Sequence, residues 1–322
     1  MLKLSVIIPV YNVEKYIERC ARSLFEQTLD DIEFIFIDDS STDNSIQILN
    51  DTLKEYPRRV SQTQVISLPI NSGIAAVRKY GIQLSKGEYI IQCDSDDWVE
   101  INMYEQMYNY AKQHSCEIVI CDYFRYIDSE NIQTVKTYQA DDSIKLNKRL
   151  LSGSVHASVW NKLVHSSLYL DNEIMYPKDN MCEDLVLMFQ LIFHAKKIGY
   201  LPVPYYYYYY NQESISQSVT LDSVMAKAIS IINNCNLIVL FLSRKNALKE
   251  FYSDIINFKI RVKYWNNELV RLYGRRDEWD LIFGKFKMIE ILKSSITSKE
   301  KIIYILTILK LYTFLKRHIR CN

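Results

Sequence analysis

Runs of apolar, β-branched residues alternate with stretches of helical period along the first hundred residues. Leu4 to Val10 and Ile32 to Ile37 are apolar almost throughout, which predicts strands buried on both faces. Between them, Glu14 to Gln27 carries Ile17, Cys20, Ala21 and Leu24 at helical spacing. Ser41-Thr42-Asp43 supplies cap residues for a helix to about Tyr56. Gln64 to Leu68, a helix from about Gly73 to Leu84, and Tyr89 to Cys93 continue the series. This alternation predicts an α/β fold, a Rossmann-like, mostly parallel sheet with helices on both faces.

Past Trp98 the pattern changes. A helix is expected over Ile101 to Gln113 and a strand over Glu117 to Cys121, followed by a polar stretch to about Asp142. A segment around Ser154 to Leu170 and an acidic helix start at Glu183-Asp184 come next. From about Leu221 the period is helical, without a strand run or a proline. The expected division is therefore a domain over 1–218 and an all-helical C-terminal region over 219–322.

Composition narrows the classes. With 322 residues and a net charge of +1, the chain has no overall field to attract nucleic acid, so a nucleic-acid partner is not expected. The seven cysteines include no CxxC pair, which speaks against a zinc knuckle or a disulfide framework and for buried thiols in the cytoplasm. The five histidines show no metal-ligand spacing.

The chemistry gathers where strands end, the edge at which parallel sheets bind ligands. Three ends are polar: Pro9-Val10-Tyr11-Asn12, Asp38-Asp39-Ser40-Ser41 and Asp94-Ser95-Asp96-Asp97. The last places three carboxylates within four residues after an apolar run, a costly arrangement that a bound cation or a solvated turn, with Asp97 as helix cap, would each explain. For Glu183 and Asp184, simple capping of a helix is the competing account.

In order and spacing, "SVIIPVYN" (5–12), "IDDSSTDNS" (37–45), "NSGIAAVRKYG" (71–81), "KGEYIIQCDSDDW" (86–98), "WNKL" (160–163) and "CEDLVL" (182–187) resemble the family 2 glycosyltransferases of GT-A fold. The resemblance implies inverting transfer of a sugar from a nucleotide diphosphate donor, expected to be a UDP-sugar, to a glycan or lipid-linked acceptor in cell-surface polysaccharide synthesis. It implies a nucleotide and metal half over 1–100 and an acceptor half over 101–218. By that resemblance Asp96 coordinates Mn2+ or Mg2+, and Asp94 shares the metal's shell or faces the ribose. Asp39 accepts from the uracil imide, Pro9, Val10 and Tyr11 flank the ring, and Arg78 lies near the nucleotide. Asp184 is the expected general base, with Glu183 the second candidate. Trp160 and Lys162 fall on the acceptor side, where a buried Trp beside a solvated Lys is an equal account. Asp43 reads better as a cap. The sequence departs from the family at Val77, Lys79, Tyr210 and Asn211, the last two where an arginine is common.

Two other classes compete: an Asp-x-Asp phosphohydrolase, which leaves "SVIIPVYN" unexplained, and a non-catalytic nucleotide-sugar-binding protein of the same fold. In the tail, Ile302 to Leu315 is too short to span a bilayer but is flanked by basic residues, as in a helix lying on a membrane surface. Peripheral attachment at the inner face of the plasma membrane is expected, against packing on the preceding helices or on a second subunit of a homo-oligomer.

Overall fold

The computed structural model describes residues 2–137, 142–210, 220–271 and 273–309. The chain divides into two compact units, Met1–Leu150 with Val155–Gln212, and Leu151–Ser154 with Glu213–Asn322. The boundary expected near Ser218 lies outside the described residues.

The elements run β1 (Leu4–Val10), α1 (Ile17–Phe25), β2 (Ile32–Asp38), α2 (Ser45–Lys54), α3 (Pro57–Val60), β3 (Thr63–Ser67), α4 (Ile74–Leu84), β4 (Tyr89–Gln92), β5 (Trp98–Val99), α5 (Met103–His114), β6 (Ile118–Asp128) and β7 (Asn131–Val135). They continue with α6 (Ser143–Ser152), β8 (Lys162–His165), α7 (Ser167–Leu170), α8 (Glu183–His194) and β9 (Ile198–Tyr209), then α9 (Leu221–Arg244), α10 (Leu248–Trp265), α11 (Glu268–Arg271), α12 (Arg276–Leu281), α13 (Met288–Lys293) and α14 (Ser298–Ile308).

One sheet carries the first unit, in the order β3-β2-β1-β4-β8-β6-β9-β5, with β7 paired to β6. The first four strands are mutually parallel, as their apolar runs predicted. Beyond β4 the sheet is mixed: β8 is antiparallel to β4 and β6, β9 is parallel to β6, and β5 is antiparallel to β9. β1 alternates its faces. Val6, Ile8 and Val10 join the core that contains Leu24, Phe25, Met103 and Tyr104, while Ile7 meets α4. A Cβ at Gly81 would overlap the Ile7 side chain, so the final glycine of "NSGIAAVRKYG" lets that helix lie directly on the strand.

The second unit is helical, with a core of Val224, Ala228, Ile260, Trp279, Ile291 and Tyr304 among others. α9 is long and apolar enough, at mean hydropathy 1.6, to cross a membrane by length and composition. Its buried residues include Val224, Ala228, Ile231, Cys235, Ile238 and Leu242 at three- and four-residue steps, with Asn234 and Phe241 beside them, the stripe of a helix that packs on one side. Its exposed side is mixed, with Asn233 and Asn236 beside Ile229 and Leu240. In α14, Tyr304 is buried with its ring centroid 5.5 Å from that of Trp279, and the Arg276 guanidinium donates to the carbonyls of Thr307 and Ile308. The first part of the tail therefore packs on the preceding helices; positions 310–322, including the rest of the expected surface helix, lie outside the described residues.

Candidate active site

The ends of β1 and β2 are tied to one another by side chains. Asn12, at φ +50°, accepts from Thr42 N–H at 2.8 Å, and Ser41 Oγ accepts from Asn12 N–H at 3.1 Å. Asp38 accepts from Ser41 N–H at 2.8 Å. Asp39 is almost completely buried, and its two oxygens accept from Ser72 N–H at 2.6 Å and Gly73 N–H at 2.8 Å. Gly73 sits at φ +83°, a conformation open to glycine, so this carboxylate fixes the turn that launches α4. Asp43 accepts from the N–H and Oγ of Ser45 and from Glu14 N–H, tying the approach to α2 to the loop after β1; the N-cap position of α2 is Asn44 rather than Asp43. Of the three expected ring-flanking residues, Pro9 and Val10 are buried, and Tyr11 is 44% exposed.

The three acids after β4 have different surroundings. Asp97 N–H closes the turn onto the Asp94 carbonyl at 3.1 Å. The Asp97 side chain is buried, and its oxygens accept from Tyr206 O–H at 2.6 Å and Tyr209 N–H at 2.7 Å. Burial, followed by repulsion from Asp96 and Asp94, pushes its carboxyl well above the usual range. Asp97 does not cap a helix, as one expectation had it: the residues after it form β5, and its carboxylate is spent on β9. Asp94 and Asp96 remain partly exposed.

Arg78 joins two parts of the chain that are far apart in sequence. Although only 7% exposed, it donates to Asp94 Oδ1 and to Glu183 Oε1, each at 2.9 Å. Burial alone would lower its affinity for the proton, but Asp94, Glu183 and Asp184 together outweigh that and raise it. Three carboxylates around one guanidinium leave excess negative charge, and Glu183 bears the consequence. Burial pushes it up to about 7; Arg78 opposes the shift, while Asp184 and Asp94 add to it. Asp184, next along α8, is half-buried, accepts from Leu185 N–H at 2.7 Å and lines a small cleft with Arg78, Lys79 and Tyr176.

Trp160 is buried with its ring stacked on Tyr206, centroids 4.2 Å apart and planes at 11°. Lys162 is buried rather than solvated. Its Nζ donates to the carbonyls of Ser158 (2.7 Å) and His156 (3.0 Å) and to Asn161 Oδ1 (2.8 Å), and burial lowers its pKa to about 7. Those acceptors lie on the loop that carries Trp160, so the amine fixes the loop from beneath. The bonds of Tyr206 and Tyr209 to Asp97 had no local signal in the sequence beyond the Tyr205 to Tyr210 run.

Among the described residues, no group of three or more His, Cys, Asp or Glu side chains is placed to hold a metal ion. Asp94 and Asp96 nonetheless fit a hard cation of the kind bound by one or two carboxylates and completed by substrate phosphate and water. They are oxygen donors, partly exposed, at the carboxyl end of a parallel strand.

Residues 5–169 match the family described as Glycosyl transferase family 2. The chain is 32% identical over 264 residues to EpsH of Bacillus subtilis (strain 168), named as a glycosyltransferase, covering 79% of this chain and 73% of that protein. It is 33% identical over 202 residues to a poly(ribitol-phosphate) beta-glucosyltransferase of Bacillus spizizenii, covering 62% of this chain and 31% of that longer protein. Among solved structures, S. aureus TarS 1-349 in complex with UDP matches with a TM-score of 0.56 at 23% identity, over 86% of this chain and 88% of that one, a likeness of GT-A fold. Motif order, sheet topology and relatives agree: this chain belongs to glycosyl transferase family 2, and it is a glycosyltransferase.

Proposed function

We propose that the chain transfers a sugar, with inversion, from a UDP-sugar to an acceptor hydroxyl on a glycan or lipid-linked glycan in cell-surface polysaccharide synthesis. The observation that carries this reading is the Arg78 bridge, which brings the Asp94 turn and the acidic start of α8 into one site. Asp94 and Asp96 would hold Mn2+ or Mg2+, which when bound neutralises the charge left on the departing diphosphate. Asp39 already accepts two N–H groups, but an ionised carboxylate has about four acceptor positions, so it can also receive the uracil imide N–H. Tyr11 offers a side chain to the ring, and Pro9 and Val10 shape the loop from within the core.

Inversion is a single displacement. Asp184 takes the proton of the acceptor hydroxyl, that oxygen bonds to the anomeric carbon, and the carbon–oxygen bond to the diphosphate breaks with its electron pair. Asp184 stands in the first turn of α8 and lines the cleft with Arg78 and Tyr176, where an acceptor hydroxyl can reach it. Trp160 supports the acceptor side from within the core through its stack on Tyr206, with Lys162 holding its loop. The UDP held by the TarS neighbour supports the choice of donor.

The test is a thermal-shift series with nucleotide sugars and Mn2+. A ligand at a hundred times its Kd stabilises the fold by about 2.7 kcal/mol, and UDP-sugars should do so where GDP-sugars do not. Stabilisation by GDP-sugars alone would overturn the donor assignment, and hydrolysis of simple phosphate esters would overturn the reaction.

For location we propose the cytoplasmic face of the plasma membrane, with the basic and apolar residues beyond Leu309 attaching to anionic lipid. Full-length chain should co-sediment with anionic vesicles at low salt and less at high salt. A Lys310→Gln, Lys316→Gln, Arg317→Gln variant that sediments equally well would sink this part.

A further inference from the structure

Tyr206 is the second residue of the tyrosine run and takes no part in the chemistry proposed above. Its side chain is fully buried. The hydroxyl accepts from Asp94 N–H at 3.0 Å and donates to Asp97 Oδ2 at 2.6 Å, so one atom grips both ends of the Asp94–Asp97 turn. Asp97 Oδ1 takes the N–H of Tyr209 at 2.7 Å, a second bond from the same strand. The ring is held in turn by the Trp160 stack at 4.2 Å, with Trp160's loop fixed by Lys162.

A buried carboxylate is tolerated only when it is hydrogen-bonded, and both bonds made here by Asp97 go to β9. The turn carries two partly exposed acids whose like charges repel; Arg78 binds the Asp94 side chain and Arg19 the Asp96 carbonyl, and Tyr206 ties both ends of the turn to β9. We propose that Tyr206, through Asp97 and the Asp94 amide, is a positioning residue that holds Asp94 and Asp96 in the geometry that takes a divalent cation together with a nucleoside diphosphate. This rests on the reading of Asp94 and Asp96 as the cation's protein ligands. Outer partners of ligating groups act in this way by fixing orientation, and their loss typically costs about 10- to 100-fold in metal affinity or activity.

Tyr206→Phe separates this role from packing, because the ring and its stack on Trp160 remain and only the hydroxyl goes. Two measurements apply to full-length protein: calorimetric titration of UDP with and without Mn2+, and the Mn2+ concentration that half-saturates turnover. The expected result is Mn2+-dependent UDP affinity lowered about tenfold or more, metal-free UDP affinity unchanged, and turnover restored by excess Mn2+. A merely structural lesion reduces the amount of competent protein and leaves the half-saturating Mn2+ concentration where it was, so that result overturns the proposal even if the variant is partly unfolded. Wild-type protein that binds UDP with no response to Mn2+ overturns the cation reading and the proposal with it. Wild-type response with an equal response in Tyr206→Phe overturns the positioning role alone.

Discussion

The turn after β4 and the start of α8 are both short acidic stretches, and in each one acid is anchored by a distant part of the chain. In the turn, Asp97 is buried and bonded to β9, while Asp94 and Asp96 stay partly exposed. At the helix start, Glu183 is bound by Arg78 and Asp184 accepts from Leu185 N–H, with both acids lining the cleft. The two differ in what holds the anchored acid. Asp97 is held by a neutral hydroxyl and an amide, Glu183 by a guanidinium that also holds Asp94. Neutral donors fix a geometry; a shared cation couples two sites electrostatically. A substitution in the turn should therefore disturb binding, and one at the helix start should disturb proton chemistry.

The sharpest way to break this comparison is Asp96→Ala. Mn2+-dependent UDP binding and transfer should both be lost, since removing stabilisation of developing charge costs several kcal/mol, roughly 10²- to 10³-fold in rate. Retained Mn2+ response in a titration would place the cation elsewhere. Asp184→Asn should leave donor binding intact while turnover falls about 10²- to 10⁴-fold, because an amide keeps the shape but takes no proton. If this variant stays active and Glu183→Gln does not, the two acids exchange roles.

Much of the first half of this comparison was legible in the sequence, because strands buried on both faces are written as apolar runs. β1, β2 and β4 fall within a residue of expectation for that reason. β5 has two residues and β8 has four, the latter opening on Lys162, too little for any periodicity to register. β9 contains Pro202 and Pro204 and shifts register against β6, which obscures its alternation. The strand-end acids could be found by their clustering, but not the fate of Asp97. That depends on Tyr206, 109 positions along the chain. Lys162 was read as equally suited to solvent because lysines mostly are; its burial depends on three oxygens brought together by the loop from His156 to Asn161.

That burial gives a smaller test. Lys162→Met keeps the volume but leaves the carbonyls of His156 and Ser158 without their donor. A loss of about 1–3 kcal/mol of stability is expected, together with a change in tryptophan fluorescence as Trp160 loosens from Tyr206. An unchanged melting temperature would mean that the loop holds itself.

The smallest effect concerns Glu183 and the pH dependence of stability. Its carboxyl is raised from the ordinary 4.5 to about 7 in the folded chain. Between those values the folded state retains a proton that the unfolded chain has released, so the contribution is fully present below about 4.5 and is lost as pH rises through about 7. The slope from a single such group is at most about 1.4 kcal/mol per pH unit, with stability falling as pH increases. The groups that set it are the buried environment itself, Arg78, Asp184 and Asp94, so other acids must be subtracted by comparison rather than ignored. Unfolding of wild type and Glu183→Gln measured from pH 4.5 to 8 isolates the difference: wild type should lose stability relative to the variant up to about pH 7 and run parallel to it above. Parallel curves throughout would mean that Arg78 keeps Glu183 ionised across the range.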